Sequence, residues 1–182
     1  ITSKKDKFDF KHLICAIPKS SLQKFSYFEK NDLLNAVSPI HLLRVYAKYP
    51  TENLWFKKLK RTITDNYIRH IIPINPTNGL IMISYSDSNY AKMWLDHYKN
   101  GEQFLIDALH KEIKDLYQIE PPQPDFISVH SWKEGLHVWN TGFNMEEVSR
   151  MVLQPDETKE IYICGESYSR KQGWIEGPLE TC

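Results

Sequence analysis

Residues 161–181 read IYICGESYSRKQGWIEGPLET and hold the groups best suited to chemistry. An apolar strand runs into Gly165 and the carboxylate of Glu166; a polar loop with Gly173 follows, and WIEGPLE opens a short helix. Strand, glycine turn and helix start, in that order, present backbone N–H groups outward, where an electron-rich part of a ligand can meet them. The same order also describes an ordinary strand-to-helix turn with a capping carboxylate. Spacing alone does not separate the two.

The residue types go further than the spacing. The segment resembles the C-terminal signature of the FAD-dependent amine oxidases, commonly G-E-x-Y-S-x-x-x-G-W-x-x-G-A-x-x. Weaker similarities lie upstream: LICAIP is similar to that family's strand and proline re-entering the flavin domain, GLIMISYSDSNYAKMW to its substrate-domain strand, and SWKEGLHVWNTG to its W-x-x-G-x-H-x-W-x-x-G segment. Pro178 stands where the family usually has Ala, a change a first helical turn tolerates because the missing donor would be unpaired there anyway.

The resemblance implies roles residue by residue. Gly165 would approach the FAD pyrophosphate, Glu166 would bond the ribityl chain, and the Trp174–Ile175 peptide beyond Gly173 would offer an N–H to the flavin pyrimidine oxygen. Trp174 would wall the amine pocket, with His137 or Trp139 as a second wall; a lone His in a Gly-containing loop also serves as a satisfied structural residue. Arg44, in the strand HLLRVYAK, is a candidate replacement for the lysine that many members keep near flavin N5, although a surface or salt-bridged Arg fits the sequence as well. The complete enzyme would pass a hydride from an amine's α-carbon to FAD, release the imine to water and reoxidise the flavin with O₂.

One feature of that family has no counterpart here. Only seven glycines occur, and no G-x-G-x-x-G follows any strand, although such a turn holds the ADP half of FAD. The expectation is a fragment, a split homologue or a degenerate one, whose dinucleotide-binding half lies on the same or another polypeptide. Alone, the chain is expected to hold FAD poorly. A non-enzymatic binding or structural module derived from such an oxidase is the alternative.

The elements that must position these residues follow from periodicity. HLICAI, closed by Pro18, and EIYICG both read as short strands buried on two faces, and they are expected to meet in one small sheet. SPIHLLRVYAKYP alternates Leu43, Val45, Ala47 and Tyr49 against Arg44, Tyr46 and Lys48, the period of a half-covered strand. NYIRHIIPI and GLIMISYS, joined by the turn-forming NPTNG, suggest an antiparallel pair. Asp87 follows as a helix N-cap candidate. Residues 101–117 place Phe104, Leu105, Ala108, Leu109, Ile113 and Leu116 at helical spacing until EPPQPD ends the helix, and DFISVHSW reads as one more strand. The expected class is α+β: an antiparallel substrate-domain sheet flanked by helices, plus the terminal strands and helix of an FAD-binding α/β domain. The implied segments are 1–30, 31–155 and 156–182, for re-entry strand, substrate domain and closing strand-turn-helix.

Composition narrows the partners. Lys and Arg number 23, as do Asp and Glu, so no basic stripe announces a nucleic acid. No apolar run reaches the roughly 20 residues that span a bilayer, and the lysine-rich residues 1–7 precede no signal-peptide core, so a soluble protein is expected. Cys15, Cys164 and Cys182 are far apart and form no C-x-x-C pair, which suggests reduced core thiols or a loose tail in an intracellular compartment. His41, His70 and His130 show no metal-ligand spacing and read as strand-face residues. No metal is expected, and the identity of the amine is not encoded in any single motif.

Overall fold

The computed structural model describes residues 8–52 and 54–182. The lysine-rich opening over residues 1–7 and Asn53 lie outside them. The chain divides into two compact units, one made of the residues up to Pro39 together with Leu136–Cys182, the other of Ile40–Gly135.

The middle unit is built on a five-stranded sheet of order β3-β4-β5-β2-β6. Its strands are β2 (Val37–Lys48), β3 (Thr62–Ile63), β4 (His70–Asn75), β5 (Leu80–Asp87) and β6 (Phe126–Trp139); the unit boundary falls within β2 and within β6. β2 with β5, β3 with β4, and β4 with β5 run antiparallel, as the alternation and the NPTNG turn imply. Gly79 closes that turn at φ +78°, and a Cβ there would lie 2.0 Å from the Tyr49 carbonyl oxygen, so only glycine fits. The ladder shifts register between Pro73 and Asn75, next to a proline that has no N–H to give.

Leu43, Val45 and Ala47 on β2, with Ile71, Ile81 and Ile83, meet Ala91 and Trp94 of helix α2 (Ser88–Lys99) and Leu105, Ile106, Leu109 and Ile113 of helix α3 (Glu102–Tyr117) in one core. The expected helix over 101–117 is therefore α3, with Gly101 as its N-cap, but its buried face is shifted. Phe104 is half exposed beside the His97 ring and Ile106 goes inside, because successive side chains rotate by about 100° and Phe104 falls on the margin of the stripe. Asp87 does occupy the N-cap position of α2, yet its side chain makes no capping bond.

The terminal unit carries a two-stranded sheet in which β1 (Leu13–Cys15) runs parallel to β7 (Ile161–Ile163), pairing Leu13 with Ile161 and Cys15 with Ile163. The two ends of the chain meet as their sequences suggest. The expectation of burial on both faces is corrected: Ile14 is 67% exposed, since among the described residues one face of this small sheet has no covering layer. The other face packs with Leu22, Phe28, Leu34, Val37, Val148, Val152 and Tyr168. These come from the short helix α1 (Lys19–Leu22), the 3-10 turn Asp32–Ala36, helix α4 (Met145–Leu153) and the loops between, followed after β7 by α5 (Glu176–Glu180). Because the 3-10 turn and α4 feed this core, residues 31–39 and 136–155 group with the chain ends. The cysteines, distant in sequence, come together here: the Cys164 N–H donates to the Cys15 carbonyl at 3.2 Å. Burial, and then the neighbouring Cys182 thiol, raise the Cys164 pKa.

Candidate functional site

Strand β7 ends at Ile163, and the chain turns at Gly165, whose φ of +120° excludes other residues without strain. Nothing lies within 4 Å of the position a Cβ would take at Gly165, so the backbone is open to close approach on that side. Its N–H is used internally, donated to Thr181 Oγ1 at 2.8 Å, while that hydroxyl also lies 3.0 Å from the Pro178 carbonyl. Thr181 thereby latches the end of α5 back onto the turn. A second contact sets the same packing: a Cβ on Gly177 would fall 2.4 Å from Ser169 Oγ and 2.5 Å from the Lys171 carbonyl. Arg170 and Glu180 close the loop from outside, with Arg170 Nε donating to Glu180 Oε1 at 2.6 Å.

Glu166 is the hub. Its Oε1 accepts the His137 N–H and the Gly173 N–H, each at 2.9 Å, and its Oε2 lies 3.0 Å from His137 Nδ1. An ionised carboxylate accepts only, so Nδ1 is the donor. Burial alone would raise the Glu166 pKa, but the His137 ring, the His137 N–H and the Gly173 N–H together outweigh it and hold the carboxyl below the usual glutamate range. The carboxylate is 21% exposed and pairs with an imidazole that is 3% exposed. Of about four lone-pair directions on the carboxylate, three are taken, which leaves one on Oε2 for a further donor.

His137 lies inside at the end of β6 rather than on an open wall. Trp139 is half-buried against the terminal core and donates its indole N–H to the Ser169 carbonyl at 3.2 Å. Trp174 and Ile175 do the opposite: immediately after Gly173, which sits at φ +78°, they are 74% and 73% exposed. Glu166, Gly173 and His137 thus form one hydrogen-bonded knot next to the Gly165 turn, with Trp174 and Ile175 projecting beside it in the chain. The latch through Thr181 and the 29-residue link between His137 and Glu166 escape sequence reasoning, because neither depends on local spacing.

Arg44 belongs to the middle unit, on the sheet face opposite the helices. Its guanidinium lies between two rings from the flanking strands, 4.9 Å from the Tyr85 centroid and 5.8 Å from that of Trp132. His130 stacks on Trp132 at 6.1 Å and meets Tyr46 edge-on, so the expectation of a strand-face His130 is met within an aromatic row. Burial works against the Arg44 charge, and the Tyr46 and Tyr85 hydroxyls more than offset it, so its pKa is raised. The guanidinium is thus held among aromatic rings of the sheet face. No group of three or more His, Cys, Asp or Glu arranged for a metal occurs among the described residues. Nor is any helix among them long and apolar enough to cross a membrane.

No protein-family model and no curated protein matches the sequence. Solved structures do match in fold. The chain aligns over 99% of its length with cyclohexylamine oxidase from Brevibacterium oxydans IH-35A, at a TM-score of 0.68 and 12% identity. It aligns over 87% with a provisionally assigned protoporphyrinogen oxidase from Exiguobacterium sp. 255-15, at a TM-score of 0.61 and 11% identity. It spans 42% and 37% of those two chains, well under half of either. At these identities the likeness establishes the fold: an α+β arrangement shared with part of two oxidases.

Proposed function

We propose that this chain is the substrate domain and closing cofactor segment of a flavin-dependent amine oxidase. The observation that carries the reading is the turn at Gly165, whose sequence resembles the family's flavin segment and whose geometry suits a flavin dinucleotide. An open approach at Gly165, one unused acceptor direction on Glu166 and an exposed Trp174 and Ile175 stand side by side along the chain. The fold shared with a cyclohexylamine oxidase supports it.

In this reading FAD, when bound, supplies the acceptor for a hydride from the α-carbon of the amine. The chain's own residues supply position. Gly165 allows close backbone approach, and Glu166 accepts one ribityl hydroxyl while its other bonds fix its orientation. His137 acts as a positioning residue: with Nδ1 given to Glu166, it keeps the carboxylate ionised and aimed. Trp174 is the proposed pocket wall, a flat apolar face against which the amine is held and from which water is excluded. The dinucleotide-binding half is proposed to come from further polypeptide, on the same or another chain.

Two measurements test the reading. Purified by itself, the chain should be colourless, because it contributes no glycine-rich pyrophosphate turn. Co-expressed with the dinucleotide-binding polypeptide that its gene or a neighbouring one encodes, it should show flavin absorption bands that bleach when an amine is added without O₂. Glu166→Gln should then weaken flavin binding by roughly tenfold to a hundredfold, the worth of one charge-assisted hydrogen bond. Flavin affinity left unchanged in a folded Glu166→Gln protein would remove the ribityl role.

A further inference from the structure

From the three cysteines that the terminal unit gathers beside the Gly165 turn, we infer that Cys164 and Cys182 are a dithiol modification site, which hydrogen peroxide oxidises to a disulfide that closes the turn covalently.

The three cysteines of the chain lie far apart in sequence and end up together. Cys15 ends β1, and its carbonyl accepts the Cys164 N–H at 3.2 Å, just beyond the paired strands. Cys182 is brought in by the other end of the turn. The Gly165 N–H donates to Thr181 Oγ1 at 2.8 Å, and that hydroxyl lies 3.2 Å from the Gly165 carbonyl. Cys164 precedes Gly165 and Cys182 follows Thr181, so this double tie sets the two thiols side by side. They are hydrogen-bonded to each other, and Cys182 Sγ lies 3.1 Å from the Pro178 carbonyl of α5. Thiols already in contact need little backbone movement to reach disulfide geometry.

Exposure divides the roles. All three thiols are free; Cys15 is buried, Cys164 half-buried and Cys182 exposed. An oxidant arriving from solvent therefore meets Cys182 first. Cys164, whose pKa burial raises, is the resolving thiol beside it. The Cys182 sulfur attacks the O–O bond and becomes a sulfenic acid, and one water leaves. The Cys164 sulfur then attacks that sulfur: the S–S bond forms, the S–O bond breaks, and the hydroxyl leaves with the Cys164 proton as a second water. Each sulfur gives up one electron, and the peroxide takes both.

The bond would join residues 164 and 182 and enclose the whole turn, with Glu166, Gly173 and Thr181 inside the ring. Hydrogen bonds through Thr181 hold that closure in the reduced chain. A covalent closure adds to them by removing loop freedom from the unfolded chain. None of this depends on flavin, so the site stands or falls apart from the oxidase reading.

The 182-residue chain, fully reduced and then freed of reductant, is treated with hydrogen peroxide and followed by intact mass, peptide mapping and thermal melting. Wild type and Cys15→Ser should each lose two hydrogens per chain, with Cys164 joined to Cys182, and should melt several degrees higher; dithiothreitol should reverse both changes. Cys164→Ser and Cys182→Ser should form no bond within the chain and gain no stability on treatment, with circular dichroism confirming each fold. If Cys164→Ser unfolds, Cys182→Ser decides, since it alters an exposed side chain. A Cys15–Cys164 bond, oxygen added at Cys182 while Cys164 stays free, disulfides only between chains, three thiols left unchanged, or a Cys164–Cys182 bond that leaves melting unaltered would overturn the inference.

Discussion

The two units of this molecule are stabilised by different means. Among the described residues, five strands and two helices of the middle unit enclose sixteen buried apolar residues, many with no accessible surface. In the terminal unit the described residues give a sheet of two three-residue strands and a buried cluster of eleven, with Ile14, Trp174, Ile175 and Leu179 each at least two-thirds exposed. Its definition comes from long-range polar ties: Glu166 to His137 and Gly173, Thr181 to Gly165, Tyr168 Oη to the Leu34 carbonyl at 3.0 Å. A hydrophobic core tolerates approximate shapes, whereas a knot of hydrogen bonds requires every partner. Among the described residues, the unit with the chemistry-bearing motif is thus the one defined more by polar ties than by buried apolar surface.

The largest expected effect lies in the middle core. Leu109→Ala removes a fully buried side chain and should cost about 2–5 kcal/mol. Emission from Trp94, 1% exposed in that core, should then report a lower denaturant midpoint. A loss under about 1 kcal/mol would mean that this core is not the closed structure described here.

In the terminal unit the comparable break is polar. Glu166→Ala strips three hydrogen bonds at once and leaves the nearly buried His137 without its carboxylate, a cost of about 2–3 kcal/mol. Because the folded-state pKa of Glu166 is depressed, its contribution is fully present above the unfolded glutamate value of about 4.3 and is lost as pH falls through the lower folded value. Wild type should therefore lose stability from about pH 4 downward more steeply than Glu166→Gln, which cannot titrate. Parallel acid-unfolding curves for the two would show that the tie is not formed in solution.

These contrasts also explain what the sequence made legible. Alternation marked β2 residue by residue, and the NPTNG turn marked the β4–β5 hairpin, because both signals are local and Tyr49 forbids any side chain at Gly79. The start of helix α2 was legible at Asp87, but its extent was not, because only Ala91 and Trp94 of the helix are buried and the apolar stripe is thin. The meeting of β1 and β7 was legible as two matched apolar runs, but the exposure of Ile14 was not, since it depends on what lies over the sheet. In the site, Gly165 and Glu166 were legible as a motif. The partner that aims Glu166 was not, because His137 lies 29 residues away and no spacing rule links a strand end to a later turn.

The smallest expected stability change belongs to Trp174, and it sharpens the comparison most. At 74% exposed, its ring contributes little packing to the isolated chain, so Trp174→Ala should shift stability by no more than about 0.5 kcal/mol. If the ring is instead a wall for an amine held beside flavin, the same change should matter only once the cofactor half is supplied. It should then raise the KM for the amine several-fold, with Trp174→Phe keeping most of the wild-type value because the flat apolar face survives. A Trp174→Ala protein that binds amine and flavin as wild type does would make the exposed tryptophan an incidental surface residue. One that melts several degrees lower by itself would place the ring inside a packed structure, and the contrast between a closed middle unit and an open terminal one would fail at its most exposed point.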